Sequence, residues 1–522
     1  MAGFEAVAGF TQYQPDRLKP RIRNGISSGG HCMRILNQDA LTSHGNIVGR
    51  RALVEIMEAG LQAADPYNNI HRLIRRAGSK LIIGCPDFEP AGDPHSGDEV
   101  IDLAKIGRIF VFGAGKGIQR IAVAIEDILG DRLTGGHVIA KHGDEVICER
   151  IGVTHGAHPV PDEGCAIGCR RILEQCQGLT ADDLVFTLGT NGFSALLTLP
   201  ADGISMEDVR QVTFMMQIER GVPTGDLNPI RNHIDQMKGG RLTRHIQPAR
   251  AIHIVGIDPS SYEQVIHRNL WLHSLPDCTT FADAQAMLRK WDVTDLVPAP
   301  VREHIERADA ADETVKANEF LQWRSRIFGT MPYNQSMIPT AQKKAAELGF
   351  NSLWLALDLR AEAKDAAMTI ASVAKSIETL GQPVEPPCAL FSTGEILVTV
   401  GQARGMGGRN QEYCVSAAQA IAGSRNILMG SADSDGTDGP GIQFSDQRLG
   451  EVTCLTGGIV DGETACEAKE RGVDLVDALK HHNTSPALYA LDSGIVATQN
   501  ISIGDFTVTL VLGRKEGAWA LR

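Results

Sequence analysis

The 522-residue sequence contains no Cys-x-x-Cys pair, and its eleven cysteines are scattered. That spacing excludes a zinc ribbon and gives no sign of a disulfide framework. No apolar run approaches the roughly 20 residues that a membrane-spanning helix needs. The first residues also lack the apolar core of a secretory signal, so the expected compartment is the cytoplasm, with no membrane partner. Basic residues are in deficit: 50 Lys and Arg face 63 Asp and Glu, a net charge of −13. This argues against a general nucleic-acid binder, although an acidic chain can still hold a local basic pocket. There is no short-period repeat and no low-complexity tract. The hydrophobic content of 43% and charged content of 22% are those of an ordinary globular protein, long enough for two or three α/β-sized domains.

The hydrophobic pattern alternates between short apolar runs and helical periods. Apolar runs at Ile109–Phe112, His137–Ala140, Leu184–Thr187 and Ile252–Val255 are separated by helical stretches such as Glu163–Gln177 and Met206–Glu219. Strands alternating with helices predict a mostly parallel sheet covered on both faces. Cys165, Cys169 and Cys176 fall on one side of a helical pattern and read as a buried face. Residues 281–325 read as a helical bridge. A second α/β series starts near Ile338, with strands at Leu353–Leu357, Ala389–Ser392, Leu397–Val400 and Ile427–Gly430 and a closing strand at Phe506–Leu512. The expected architecture is α/β with two lobes and a cleft between them: an extension at 1–45, an N-terminal Rossmann-like domain at 46–299, and a C-terminal α/β domain at 300–522.

Four glycine- or charge-rich stretches follow predicted strands. Phe112-Gly-Ala-Gly-Lys-Gly117 opens a helix, and there Gly113 and Gly115 allow backbone N–H groups close to an anion while Lys116 supplies charge. It is neither a Walker A loop nor a full dinucleotide fingerprint, and a tight turn with an exposed lysine is the plain alternative. Thr190, Asn191, Gly192 and Ser194 form a second, neutral nest, or simply a capped helix start. Arg404-Gly-Met-Gly-Gly-Arg-Asn-Gln-Glu-Tyr413 combines Gly407 and Gly408 with Arg409 and Asn410 at a helix N-terminus, where a planar guanidinium suits phosphate or carboxylate oxygens. Ser431–Pro440 crowds Asp433, Asp435 and Asp438 into a glycine-rich loop, a place for Mg²⁺ or an Asx-turn. Arg231 and Lys238 share a helix face and are candidate binders of a carboxylate or phosphate, with a solvated basic face as the alternative. Glu395 follows another strand and is expected to face the same cleft. His155 and His158 lie i, i+3 without a third ligand and read as structural.

Taken together, these residues resemble the glycerate 2-kinase family of the two-domain kind whose C-terminal region, here about 385–515, is called MOFRL. The resemblance is carried, in order, by Gly113–Lys116, His158-Pro-Val-Pro-Asp-Glu163, Ser194–Leu197, Arg231 with Lys238–Leu242, Pro276–Phe281, Gly394-Glu395, Gly407–Glu412 and Asp435–Pro440. It implies an ATP- and Mg²⁺-dependent kinase acting on a small hydroxy acid, with Lys116 and Arg409 catalytic. Several loops depart from the family pattern: Thr190-Asn-Gly-Phe-Ser194 replaces a run of glycines between serines, and Asn269–His273 replaces an Ala-Ser-Gly-Pro segment. With Phe193 and Trp271 adding bulk, a four- or five-carbon or branched acid stands beside glycerate as the expected acceptor. Two other functions stay open at this stage: a nicotinamide-dependent hydroxypyruvate reductase and a non-catalytic anion-binding relative.

Overall fold

The computed structural model describes residues 33–332, 336–401, 403, 405–439, 444–446, 450–452, 454–499 and 503–515. Arg404, Pro440 and Asn500 lie outside them.

The first sheet is wholly parallel. Its strands are β1 (Ile109–Ala114), β2 (Gly135–Lys141), β3 (Gly152–Gly156), β4 (Leu184–Gly189), β5 (Arg250–Val255) and β6 (Ser325–Gly329), in the spatial order β3-β2-β1-β4-β5-β6. Every residue of β1 and β4 is buried, as a strand covered on both faces requires. Side chains alternate between the faces. Ile109 and Val111 join Leu184 and Phe186 under the helix Ile118–Leu129, whereas Phe110, Phe112 and Val185 meet Cys165, Cys169 and Cys176 of the helix Glu163–Cys176. Between β1 and β4 the strand order reverses, and in such doubly wound sheets that point opens a crevice at the carboxyl ends.

The second sheet is mixed. It comprises β7 (Asn351–Leu359), β8 (Cys388–Gly394), β9 (Ile427–Asp433), β10 (Gly457–Asp461), β11 (Gly494–Ile495) and β12 (Asp505–Val511), ordered β7-β8-β12-β9-β10-β11. The closing strand β12 inserts antiparallel between β8 and β9, placing Asp505 opposite both Gly394 and Asp433. One face of the sheet is covered by the helices Ala363–Leu380 and Arg409–Ala420, the other by Ile47–Ala63 and Met337–Glu347.

Several expectations change. The strand expected at Leu397–Val400 is irregular apart from an isolated bridge of Leu397 to Glu362, because the strand itself ends at Gly394. Residues 33–45 are not a loose arm: Ile35 is buried in the second lobe, and the backbone N–H groups of Arg34 and Ile35 donate to Glu58 at 2.6 and 2.7 Å. The helix Ile47–Ala63, placed by sequence in the first domain, covers the second sheet, and β6 carries the first sheet past residue 299. β3 escaped notice because Gly-Val-Thr-His-Gly is too polar to read as a strand.

Candidate active site

The two glycine turns of the first lobe meet at the reversal point. They are joined through the Lys116 backbone: Lys116 N donates to Asn191 O at 2.8 Å, and Thr190 Oγ1 donates to Lys116 O at 2.8 Å. Gly115 has φ +144, and a Cβ there would overlap Thr190 Oγ1, so only glycine lets the turns close on each other. Gly113 likewise lets β1 approach Leu188 of β4. With its backbone fixed, Lys116 is half-buried, and its ammonium pairs with no carboxylate among the described residues. Gly117 starts the helix Ile118–Leu129 in the left-handed region with no side chain capping the first amides. Gly115 N donates to Ile139 O at 3.1 Å and Lys116 N to Asn191 O, so what this turn keeps for an anion is its cation and the uncapped start of the helix.

Ser194 belongs to the second turn but is already engaged, its hydroxyl 2.8 Å from His273 Nε2. Phe193 does not line a cleft as its bulk suggested. It is 1% exposed, packed over Gly189 with its ring 5.2 Å from that of His273, so it fills the core beneath the turn. Trp271 packs at the edge of the cluster around Val265 and Leu272. The structure thus removes Phe193 as a ground for a reshaped acceptor pocket.

Arg231 and Lys238, paired in the sequence reading, separate sharply. Lys238 Nζ is buried on Asp235 Oδ2 at 2.6 Å and Thr198 Oγ1 at 2.7 Å, an internal ion pair with a counter-ion of its own. Arg231 is also buried, at 5% exposure, but has no carboxylate partner among the described residues. Its one described side-chain contact is Gln217 Oε1, on the π-helical segment Phe214–Glu219. Burial alone lowers its pKa to about 10. A buried guanidinium without a counter-ion is costly, and it is the natural seat for an anion supplied from outside. The π-helical turn that presents Gln217 is invisible to a 3.6-residue pattern.

In the second lobe the helix Arg409–Ala420 already carries an anion at its N-terminus, and it is the protein's own. Asp438 Oδ1 accepts from Asn410 N at 3.3 Å and Oδ2 from Gln411 N at 2.9 Å. Gly408 permits this close approach, since a Cβ there would strike Asp438, whereas a Cβ on Gly407 would strike Thr484. The expected phosphate site on these amides is therefore filled. Asn410 is fully buried, held by Asp438, Ser431 and Asp505, and does not face a ligand. Arg409 Nε donates to both oxygens of Asp505 at 2.8 and 2.9 Å, and Nη2 to Asp433 Oδ2 at 2.9 Å. Among the described residues Nη1 is left with only the exposed Glu395, 3.6 Å away. Burial would depress the guanidinium, but Asp505 and Asp433 outweigh it and hold the pKa above its usual value. Asp505 was missed by the sequence reading. Strand-end logic looks at carboxyl ends, whereas an antiparallel strand brings its first residue to the same edge.

Asp435 accepts from Thr437 N and Oγ1 through Oδ1 alone, while both oxygens of Asp438 are spent on the helix N-terminus. Of Asp435 and Asp438, the two aspartates of this loop expected to hold a metal, only Asp435 retains an oxygen without a hydrogen bond from a described residue. Among those residues no group of three or more His, Cys, Asp or Glu is arranged to hold a metal ion. This fits a magnesium held mainly by phosphate and water, with one protein carboxylate. It does not fit a dedicated cage.

Burial raises Asp438 to about 7, helped by the Asp505 charge and opposed by the Gln411 and Asn410 amides. A carboxyl whose folded pKa lies above its unfolded 3.8 contributes stability at low pH that is lost as pH rises toward 7. Asp438→Asn is expected to flatten unfolding free energy against pH across that window relative to wild type. Parallel slopes for the two proteins in urea titrations would contradict the assignment.

The two lobes approach each other near Asp435 and the end of β2. Asp144, after β2, feels the charge of Asp435, and Cys454 of the second lobe feels that of Lys141. No helix among the described residues is long and apolar enough to cross a membrane.

Comparison with known proteins agrees with this arrangement. Residues 52–306 match a family model described as a domain of unknown function (DUF4147), and residues 388–502 match the MOFRL family. The chain is 31% identical to a glycerate 2-kinase of Pyrococcus horikoshii over 442 residues, covering 83% of this chain and 91% of that protein. The crystal structure of a glycerate kinase from Thermotoga maritima superposes with a TM-score of 0.67 at 27% identity, covering 88% of this chain and 99% of the other. A protein of Agrobacterium vitis named for hydroxypyruvate reduction is 29% identical over 412 residues, covering 78% and 87% of the two chains. With this similarity spanning both lobes, the chain belongs to the glycerate 2-kinase family.

Proposed function

We propose that this protein is an ATP-dependent kinase that phosphorylates a hydroxyl of a small hydroxy acid. D-glycerate at its 2-hydroxyl, or a related four- or five-carbon sugar acid, is the acceptor. The observation that carries this reading is Arg231, a buried cation with no anion of its own, sharing the electrostatic environment of His158 with Lys116. Lys116 holds the transferring phosphate at the reversal point of the first sheet, with the uncapped start of the helix Ile118–Leu129 and the Thr190–Gly192 turn around it. Arg231 takes the carboxylate of the acid in a charge-assisted pair. Lys238 keeps its structural role. Arg409 offers Nη1 to the transferring group while Asp505 and Asp433 fix the rest of its fork. Mg²⁺, when bound, neutralises phosphate charge, and Asp435 is its protein ligand. Catalysis on this reading is positioning and charge stabilisation.

A reductase is less well supported. Nicotinamide enzymes of this sheet order place an acidic residue near the end of the second strand to bind the ribose, where this chain has Lys141. Every described cysteine is a free thiol, in keeping with a cytoplasmic enzyme.

Arg231→Met tests the acid-binding role. The Michaelis constant for the acid should rise about 10- to 100-fold, the worth of one charged hydrogen bond. Because the cation is unpaired in the free protein, stability should hold or increase. An unchanged Michaelis constant would remove Arg231 from the site.

A further inference from the structure

His158 stands where the first-lobe parts of the site converge, yet the roles assigned above do not use it. A Cβ placed on Gly192 would lie 3.0 Å from His158 Cδ2, 3.4 Å from Nε2 and 3.5 Å from Lys116 Cγ. The imidazole and the lysine stem therefore flank one point at the mouth of the second turn, which Gly192, at φ +83, leaves open. The neighbouring histidines are committed: His155 Nε2 lies 2.8 Å from Asp144 O, and His273 Nε2 meets Ser194. His158 has no hydrogen-bond partner among the described residues. The charges of three cations reach it, Lys116 from the first turn, Lys141 from the end of β2 and Arg231 from the helix Thr224–His233. The His142–Asp162 pair, 2.7 Å apart, closes the same loop. Burial and the three cations keep the ring neutral, with its pKa down to about 3. A neutral imidazole among cations presents a lone pair to a hydroxyl donor, while the cations around it attract anions.

We propose that His158 receives the acceptor hydroxyl of the hydroxy acid, orients it toward the phosphate at Lys116 and takes its proton during transfer. This rests on the kinase reading above. In the step the acceptor oxygen bonds to the γ-phosphorus as the bond from phosphorus to the bridging oxygen of the nucleoside diphosphate breaks. The hydroxyl proton passes to the imidazole and leaves to water after the products depart. Burial first, and then the charges of Lys116, Lys141 and Arg231, make the free imidazole a weak base, and the part owed to the cations is the part that substrate can relieve. Bound phosphate and carboxylate neutralise those charges and restore its basicity when substrate is present.

The test compares the full-length wild type with His158→Gln and His158→Ala in ATP-dependent phosphorylation of D-glycerate and longer hydroxy acids. Binding of a non-hydrolysable ATP analogue is measured in parallel. Both variants are expected to bind the analogue as wild type does and to lose about 10²- to 10⁴-fold in kcat. Gln, which can still accept the hydroxyl hydrogen bond, should retain a Michaelis constant for the acid closer to wild type than Ala does. The wild-type kcat should fall at acid pH with a limb between about 3 and the ordinary 6.5, absent from both variants. A His158→Gln protein with kcat within threefold of wild type and the same acid limb overturns the proposal and leaves the kinase reading intact. A wild type that transfers phosphate to no hydroxy acid overturns both.

Discussion

Lys116→Ala is expected to lower turnover by about two to four orders of magnitude with no change in the unfolding midpoint, by analogy with other groups that stabilise transition-state charge. The turn does not depend on the side chain. Its hydrogen bonds to Asn191 and Thr190 are made by the Lys116 backbone, which alanine reproduces. The ammonium itself is spent on no described carboxylate, so nothing buried is left uncompensated when it goes. Steady-state kinetics alongside thermal denaturation separates the outcomes. Activity within tenfold of wild type would remove Lys116 from the chemistry, and a large fall in midpoint would assign the lysine to the fold instead.

Arg409→Met is expected to do both kinds of damage. The guanidinium is the counter-ion of Asp505 and Asp433, whose side chains are only 2% and 8% exposed. Removing one partner of such a pair leaves buried charge unbalanced and costs on the order of 3 kcal/mol. Burial, with the Asp435 and Asp505 charges, already holds the Asp433 pKa well above normal. Burial also raises Asp505, against the pull of Arg409. Without Arg409 both rise further. A carboxyl with a raised folded pKa adds stability at low pH that disappears as pH climbs through that value. The destabilisation of Arg409→Met relative to wild type should therefore be small near pH 4 and larger at pH 7. Urea unfolding at the two pH values checks this, and an equal loss at both would show that the carboxylates do not carry the effect. The contrast with Arg231→Met, where activity falls and stability does not, separates a cation placed for a substrate alone from one that also holds the fold.

Much of the first lobe was legible because a parallel sheet buried on both faces leaves uninterrupted apolar runs, and each glycine turn directly follows one. Lys116, Thr190, Asn191 and Gly192 came together for that reason. The second lobe was less transparent. Its decisive contact, Arg409 with Asp505, joins residues 96 apart through an antiparallel insertion that no local pattern encodes. Charge type was also a poor guide to role. Lys238 and Arg231 look equivalent in the sequence, and only the position of Asp235 beside one of them decides which is free to bind. Asp438 and Asp435 are separated in the same way, by which of their oxygens the helix N-terminus consumes. Phe193 misled because size alone does not say which way a ring turns at a helix start.

The most direct measurement is ADP formation from ATP and Mg²⁺ by the purified protein across a panel of C3 to C6 hydroxy acids, with product identification by NMR and NADH oxidation of hydroxypyruvate as the parallel channel. The kinase reading predicts acid-dependent ADP release with one equivalent of phosphorylated acid, and no NADH consumption. NADH-dependent reduction without acid-dependent ADP release on any member of the panel would contradict it.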